Sequence, residues 1–225
     1  MRRIAIIGAA ISANDLPALN GWELWSMNNL YRQFPNVRFS RWYELHKFER
    51  VNNRYIRRGV DTYSEEPVWK YMQGIDGLKC PVYMQRKWKN IEESRLFPFK
   101  PIMTLYGSYF GCSFAWMLAH ALYEHEMGNK ADKVESIALY GVNLGGIEYY
   151  YQRPSTEYMI GRLRGKGIAI YISESSTVCK APYVYALDED PVFIAAVHQD
   201  NMRIITEKFI TSLTLDYENR YYGGN

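Results

Sequence analysis

The sequence predicts an α/β fold, a doubly wound and mostly parallel sheet followed by a helical C-terminal tail. Three observations lead there. Short apolar runs of strand length alternate with longer segments of helical period along most of the chain. The first run, Ile4-Ala5-Ile6-Ile7, stops at Gly8 and gives way to small residues and Ser12, the pattern of a buried parallel strand feeding a tight turn. The 225 residues, 48% of them hydrophobic, are enough to build one large core.

The remaining elements follow in order. Trp22–Met27 reads as the second strand, and Asn28 and Asn29 open a short helix through Phe34. A third strand lies within Val37–His46 and ends in polar residues. Ser64 and Pro67 are helix-start residues for a segment running to about Gln73. Pro81–Met84 is a short fourth strand. Residues 85–106 are charged, aromatic and broken by proline without a period, which predicts a long loop or flap over the sheet edge. The strongest helix spans Ser108–Met127, with Phe110, Phe114, Met117, Leu118, Ala121 and Leu122 on one side and Gly128-Asn129 as its stop. Ser136–Tyr140 reads as a central strand, a helix runs from about Ser155 to Arg164, and Ile168–Ile172 is another buried strand. Pro191 to about Leu215 reads as largely helical, with Phe193, Val197 and Ile204 apolar, and suits a cover for the sheet or a homo-oligomer contact. The expected division is residues 1–190 for the sheet domain and 191–225 for the tail.

Composition narrows the class. A net charge of +3 is too small to imply nucleic acid by itself. Two basic clusters, Arg50, Arg54, Arg57 and Arg58, then Arg86, Lys87 and Lys89, suit phosphates or plain solvated faces. The 20 Tyr and 6 Trp can stack on a base or sugar, and equally pack cores and interfaces. Cys80, Cys112 and Cys179 form no C-x-x-C pair, so neither a zinc site nor a disulfide framework is indicated. The first strand begins almost at Met1, so no signal peptide is expected, and no apolar stretch approaches membrane-spanning length. A cytoplasmic protein without membrane contact is the expectation.

In a doubly wound sheet the strand-to-helix loops leave one edge, the carboxyl edge, where ligands bind. At Gly8 and Ala9, small side chains let a phosphate or ribose approach the backbone N–H groups. G-A-A-I-S-A lacks the second and third glycines of the dinucleotide fingerprint. Ser12 and Asn14 suit phosphate or ribose oxygens, or a helix cap. Asn28 and Asn29 face a ribose or base, or form a turn. Gly111 and Ser113 present donors at the start of the long helix, although close helix packing explains Gly111 as well, and Cys112 has no base partner. The richest segment is 141–154. Asn143 and Glu148 suit sugar hydroxyls, and Glu148 can take a proton. Arg153 suits a phosphate, with Tyr149 and Tyr151 donating to it or stacking; the alternative is an aromatic lid with Arg153 tied to an acid. His46 is the best-placed histidine for acid–base work, with Glu44 two residues earlier on the same side, and a buried hydrogen-bonded histidine is the competing reading. Four scattered histidines make no metal site.

The run IAIIGAAISANDLPALNGWELWSMNN resembles the opening of a Rossmann-like superfamily. That superfamily includes bacterial sialyltransferases using a CMP-activated sugar and pterin pyrophosphokinase-like proteins. Gly8, Ala9, Ser12 and Asn28 match its first strand and turn and its Asn-terminated second strand, and Ile11 stands where its turn has proline. GCSFAWMLAHALYEHE followed by VESIALYGVNLGG resembles its later helix–strand unit, with Ser113, Gly141 and Asn143 as counterparts. EYYYQRPSTEYMIGRLRGKGIAIYI is similar to uncharacterised tailed-phage proteins. The resemblance implies a nucleotide-binding Rossmann-like sheet and a transferase. The expected function is a metal-independent, glycosyltransferase-like reaction with a nucleotide-activated donor as substrate and no tightly bound cofactor. Gly8, Ala9, Ser12, Asn28, Ser113 and Asn143 hold the nucleotide in this reading. Tyr149, Tyr151 and Arg153 meet the departing phosphate, and His46 or Glu148 is the base. A modified nucleic-acid base is the acceptor if the chain is phage-encoded. The alternatives are pyrophosphokinase-like phosphoryl transfer and a non-catalytic protein that binds or sequesters a nucleotide.

Overall fold

The computed structural model describes residues 1–51, 54–57, 67–145, 149, 151–181 and 184. The chain divides into two units, Met1–Cys179 and Lys180–Asn225. The expected tail helix at 191–215 lies outside the described residues. The strands are β1 Arg2–Ile7, β2 Glu23–Met27, β3 Arg41–Glu44, β4 Phe48–Val51, β5 Arg54–Arg57, β6 Val82–Met84, β7 Ser94–Leu96, β8 Val134–Tyr140 and β9 Ala169–Ile172. The helices are α1 Val68–Asp76, α2 Phe99–Tyr106, α3 Ser113–Met127 and α4 Gln152–Gly165.

Seven strands form one sheet in the order β7-β6-β3-β2-β1-β8-β9, and every neighbouring pair is parallel. This is a Rossmann-like α/β arrangement. From β1 the chain builds outward through β2, β3, β6 and β7, then returns to the other side of β1 for β8 and β9. The order therefore reverses between β1 and β8, and the crevice above a reversal is where such sheets bind ligands. β1 shows why apolar runs dominate: Ile4, Ala5, Ile6 and Ile7 are all fully buried, because helices cover both faces. Tyr43 and Glu44 are successive residues of β3 and so point to opposite faces. Tyr43 meets His120 of α3 and Glu44 meets Tyr71 of α1, which assigns the two helices to opposite faces. α4 lies beside α3, with Cys112 Sγ 3.2 Å from Thr156 Oγ1.

The amino edge of the sheet carries a half-buried ion network. Arg2 Nε donates to Glu23 at 2.5 Å, and Arg2 and Arg41 each reach Glu124 of α3 at 2.7 Å. Arg41 also lies 4.7 Å over the Trp25 ring. These contacts tie the starts of three strands to α3. His120 sits at the inner end of this network, and burial pushes its pKa down to about 4, so the ring is neutral at pH 7. Its Nδ1 then accepts from the Tyr43 hydroxyl at 3.0 Å, and its Nε2–H faces Glu124 at 3.5 Å as a neutral polar contact rather than an ion pair.

The structure departs from the sequence reading in several places. Residues 85–106 hold β7 and α2 in addition to a loop. Pro101 falls in the first turn of α2, where a missing N–H costs nothing. The hairpin β4–β5 interrupts the crossover from β3 to α1 and was not expected. The long helix begins at Ser113 rather than Ser108, because Gly107 adopts φ +81° and ends α2 instead. The short helix expected from Asn28 is a single 3-10 turn at Leu30–Arg32.

His120 yields a pH prediction. The unfolded ring takes up a proton as pH falls below about 6.5, while the folded ring does so only near 4. Stability therefore falls across that window. His120→Gln should flatten this part of the profile, as read by urea unfolding at a series of pH values.

Candidate functional site

Above the β1–β8 reversal the two turns close on one another. Gly8 N–H donates to Tyr140 O at 2.7 Å and Ala10 N–H to Gly141 O at 3.0 Å. A Cβ on Gly8 would lie 2.2 Å from Gly141 O and 2.8 Å from Phe114 Cζ, and one on Gly141 would lie 2.2 Å from Gly8 O. Gly141 also has φ +70°, a conformation that glycine adopts without strain. Ser12 is buried and its hydroxyl donates to Asn143 Oδ1, while Asn143 O accepts from Thr177. Ser12 and Asn143, 131 residues apart, thus meet at one point, the Ser12 hydroxyl on Asn143 Oδ1. Ala9 is exposed, and Ser113 follows at the α3 N-terminus, next to the Phe114 ring that covers Gly8. An open cleft of about 620 Å³ adjoins this point at the ends of β8 and β9, lined by Tyr140, Tyr171, Ser173 and Glu174.

The α3–α4 contact accounts for Gly111. A Cβ there would lie 2.2 Å from Tyr151 O, and its N–H donates to Ser155 Oγ at 2.9 Å. Arg153 pairs with Glu157 one helical turn on at 2.8 Å. Tyr149 is half-buried and packs on the core, whereas Tyr151 is 71% exposed. Glu148 lies outside the described residues.

A second group forms at the carboxyl end of β3. Glu44 is the last residue of the strand and is fully buried. Its Oε1 accepts from His46 Nδ1 at 2.6 Å and from the His46 backbone N–H at 3.1 Å. Its Oε2 meets Arg57 Nη2 of β5 at 2.7 Å and accepts from the Tyr71 hydroxyl of α1. Burial alone would raise the Glu44 pKa, but the His46 hydrogen bond and the Arg57 charge outweigh it and hold the carboxyl below its ordinary value. Burial and the Glu44 charge push Tyr71 well above the usual phenol range, so it remains a donor. Two groups compete at Nδ1: ionised Glu44 at 2.6 Å, which accepts a proton from it, and Arg57 Nη2 at 3.1 Å, which would need its lone pair; the shorter charge-assisted contact to Glu44 places the proton on Nδ1. Nε2 is then the basic nitrogen, on a side chain 23% exposed, with no partner among the described residues. A histidine aimed by a buried carboxylate, with its far nitrogen open, is an arrangement that abstracts protons.

Register brings Asn28 to the same place. Met27 of β2 pairs with Tyr43 of β3, so Asn28 follows beside Glu44. Its backbone is pinned on both sides, N–H to Tyr43 O at 3.0 Å and O from Trp42 Nε1 at 3.1 Å, with φ +57°. Its Oδ1 is buried without a hydrogen-bond partner. The sequence reading missed Arg57 and Tyr71. Arg57 looked like part of a solvated basic run, yet it turns inward to Glu44, and its guanidinium lies 4.7 Å over the Tyr71 ring. Among the described residues no group of three His, Cys, Asp or Glu side chains could hold a metal ion, and no helix is long and apolar enough to cross a membrane. Comparison of the chain with protein-family models, with curated proteins and with solved structures returned no match.

Two stability predictions follow from these contacts. Gly8→Ala forces a methyl into the Gly141 backbone and should cost about 3 kcal/mol in urea unfolding. Glu44→Gln strands the Arg57 charge and should cost about 3–5 kcal/mol, most of which the double variant Glu44→Gln/Arg57→Gln should recover. The Glu44 contribution is complete above about pH 4.5 and fades as pH falls through its lower folded value.

Proposed function

We propose that this protein is a metal-independent transferase of glycosyltransferase-like type, using a nucleotide-activated donor, with His46 as the base that deprotonates the acceptor hydroxyl or amine. The observation that carries this reading is the Glu44–His46 pair at the carboxyl edge, where Nδ1 is bound at 2.6 Å and Nε2 is left open. The donor nucleotide lies over the exposed side of the first turn, at Ala9, between Asn28 and Ser113. The unpaired Oδ1 of Asn28 supplies an acceptor for a ribose hydroxyl or a base amino group. Tyr149, Tyr151 and Arg153 meet the departing phosphate, for which Arg153 exchanges Glu157 for the anion. Most of the rate comes from stabilising charge on that leaving group. His46 adds the proton transfer, an effect of about 10²–10⁴-fold.

A thermal-shift screen against CMP, UDP, GDP and NAD ligands, with and without their attached sugars, identifies the donor, because a ligand that binds the folded state raises Tm. With that donor, His46→Ala should lower turnover about 10²–10⁴-fold while the ligand-induced Tm shift persists. Equal turnover in the variant would remove His46 from the chemistry. A chelator should leave the rate unchanged; its loss would favour the pyrophosphokinase-like alternative, which needs Mg²⁺. A donor-type ligand that binds and is never turned over would favour sequestration.

A further inference from the structure

The loop after β6, residues 85–93, carries Arg86, Lys87 and Lys89, all exposed and none paired with a carboxylate among the described residues. Lys47 meets Glu49, Lys79 meets Asp76 and Lys166 meets Glu126, whereas Lys70, Lys100 and Lys130 resemble the loop in having no carboxylate among the described residues; the loop differs in carrying three such cations within four positions. The loop is firmly built. Trp88 N–H donates to Ser94 Oγ at 2.9 Å, and that hydroxyl donates back to Trp88 O at 3.0 Å. Ile91 is buried and its N–H also reaches Trp88 O, at 3.2 Å. The Trp88 ring meets Phe48 of β4 edge-on at 5.5 Å, and Gln85 Nε2 donates to Leu45 O at 2.9 Å. Arg86 lies 4.1 Å over the Trp88 ring, which fixes its planar fork in place.

The loop is also beside His46. Glu44 of β3 is in register with Met84 of β6, so His46 and Arg86, each two residues on, leave the sheet side by side. Neighbouring strands run only about 4.8 Å apart.

We propose that this loop holds the phosphate backbone of a single-stranded nucleic acid, and that the acceptor of the proposed transfer is a group on that strand delivered to His46. The second half rests on the reading of His46 as the base. Cations spread along a rigid loop suit a row of phosphates, whereas a single phosphate is held by donors converging on one point. A base stacked in a duplex could not reach a histidine at a sheet edge, which favours a single strand. The aromatic and aliphatic side chains of the loop, Trp88 and Ile91, pack toward the protein, so the loop offers no apolar surface for a bilayer to bury.

The test uses the full chain and fluorescence anisotropy with labelled single-stranded oligonucleotides, DNA and RNA in parallel, titrated across a range of NaCl. Arg86→Gln/Lys87→Gln/Lys89→Gln should lower the log–log salt slope by about 2 and weaken binding about a hundredfold near 0.1 M salt, since each single-strand phosphate contact contributes about 0.7 to the slope. The triple variant should keep the wild-type Tm, because all three side chains are exposed. His46→Ala should bind the strand as the wild type does, which separates the surface from the chemistry. Binding through the loop combined with unchanged turnover in His46→Ala would sink the base assignment and leave the surface standing. No binding to either oligonucleotide, or a slope unchanged in the triple variant, would overturn the surface. So would equal affinity for phosphatidylserine vesicles or polyglutamate.

Discussion

A carboxylate removed from water at the end of β3 organises the region around it. Burying such a charge costs several kcal/mol unless donors replace its hydration. Glu44 receives them from three places: His46 just beyond its own strand, Arg57 on the β4–β5 hairpin and Tyr71 on α1. Each donor fixes the element that carries it. The hairpin is held to the sheet edge through Arg57, α1 is seated with its Tyr71 phenol toward the strand end, and the imidazole is set in a single tautomer. One carboxylate thus orders the hairpin, the helix and the imidazole together: what keeps Glu44 ionised and dry also holds His46 in place.

The reversal between β1 and β8 shows a different economy. In sheets of this topology the first turn commonly leaves its amides free for a phosphate. Here Gly8 and Ala10 spend theirs on Tyr140 and Gly141, and the Ser12 hydroxyl donates to Asn143 Oδ1. The two backbones approach too closely for anything to enter between them. A ligand at this edge must therefore lie across the top of the turns, against Ala9 and Ser113, rather than sink into the crevice. That geometry turns it toward β2 and β3, where Asn28 and the histidine stand.

Much of this architecture is legible in the sequence because buried parallel strands write themselves as apolar runs. Ile4–Ile7 and Ser136–Tyr140 needed nothing more, and six of the sheet's seven strands follow from such runs alternating with helices. The position of His46 at the carboxyl edge near Glu44 was also readable, although the strand stops at Glu44 and the contact is made from the following turn, where the His46 backbone N–H also reaches the carboxylate. What could not be read depended on partners distant in the chain. Arg57 has the composition of a surface residue until Glu44 is known to be buried 13 positions earlier. Tyr71 looks like any helix aromatic. β4 and β5, with sequences FERV and RYIR, have no apolar alternation, and their pairing exists because Arg57 and Phe48 are drawn to the core beside them. β7 has three residues, too few for a period to emerge.

The ion network at the amino edge bears on how the sheet responds to heat. The cost of dehydrating charged groups falls as temperature rises, while apolar burial gains little more. Arg2, Glu23, Arg41 and Glu124 clamp the starts of β1, β2 and β3 to α3 with contacts that hold their value on warming. The opposite rim has a clasp of the same kind in the buried Glu44–Arg57 pair, so charged contacts secure both ends of β3 as temperature rises.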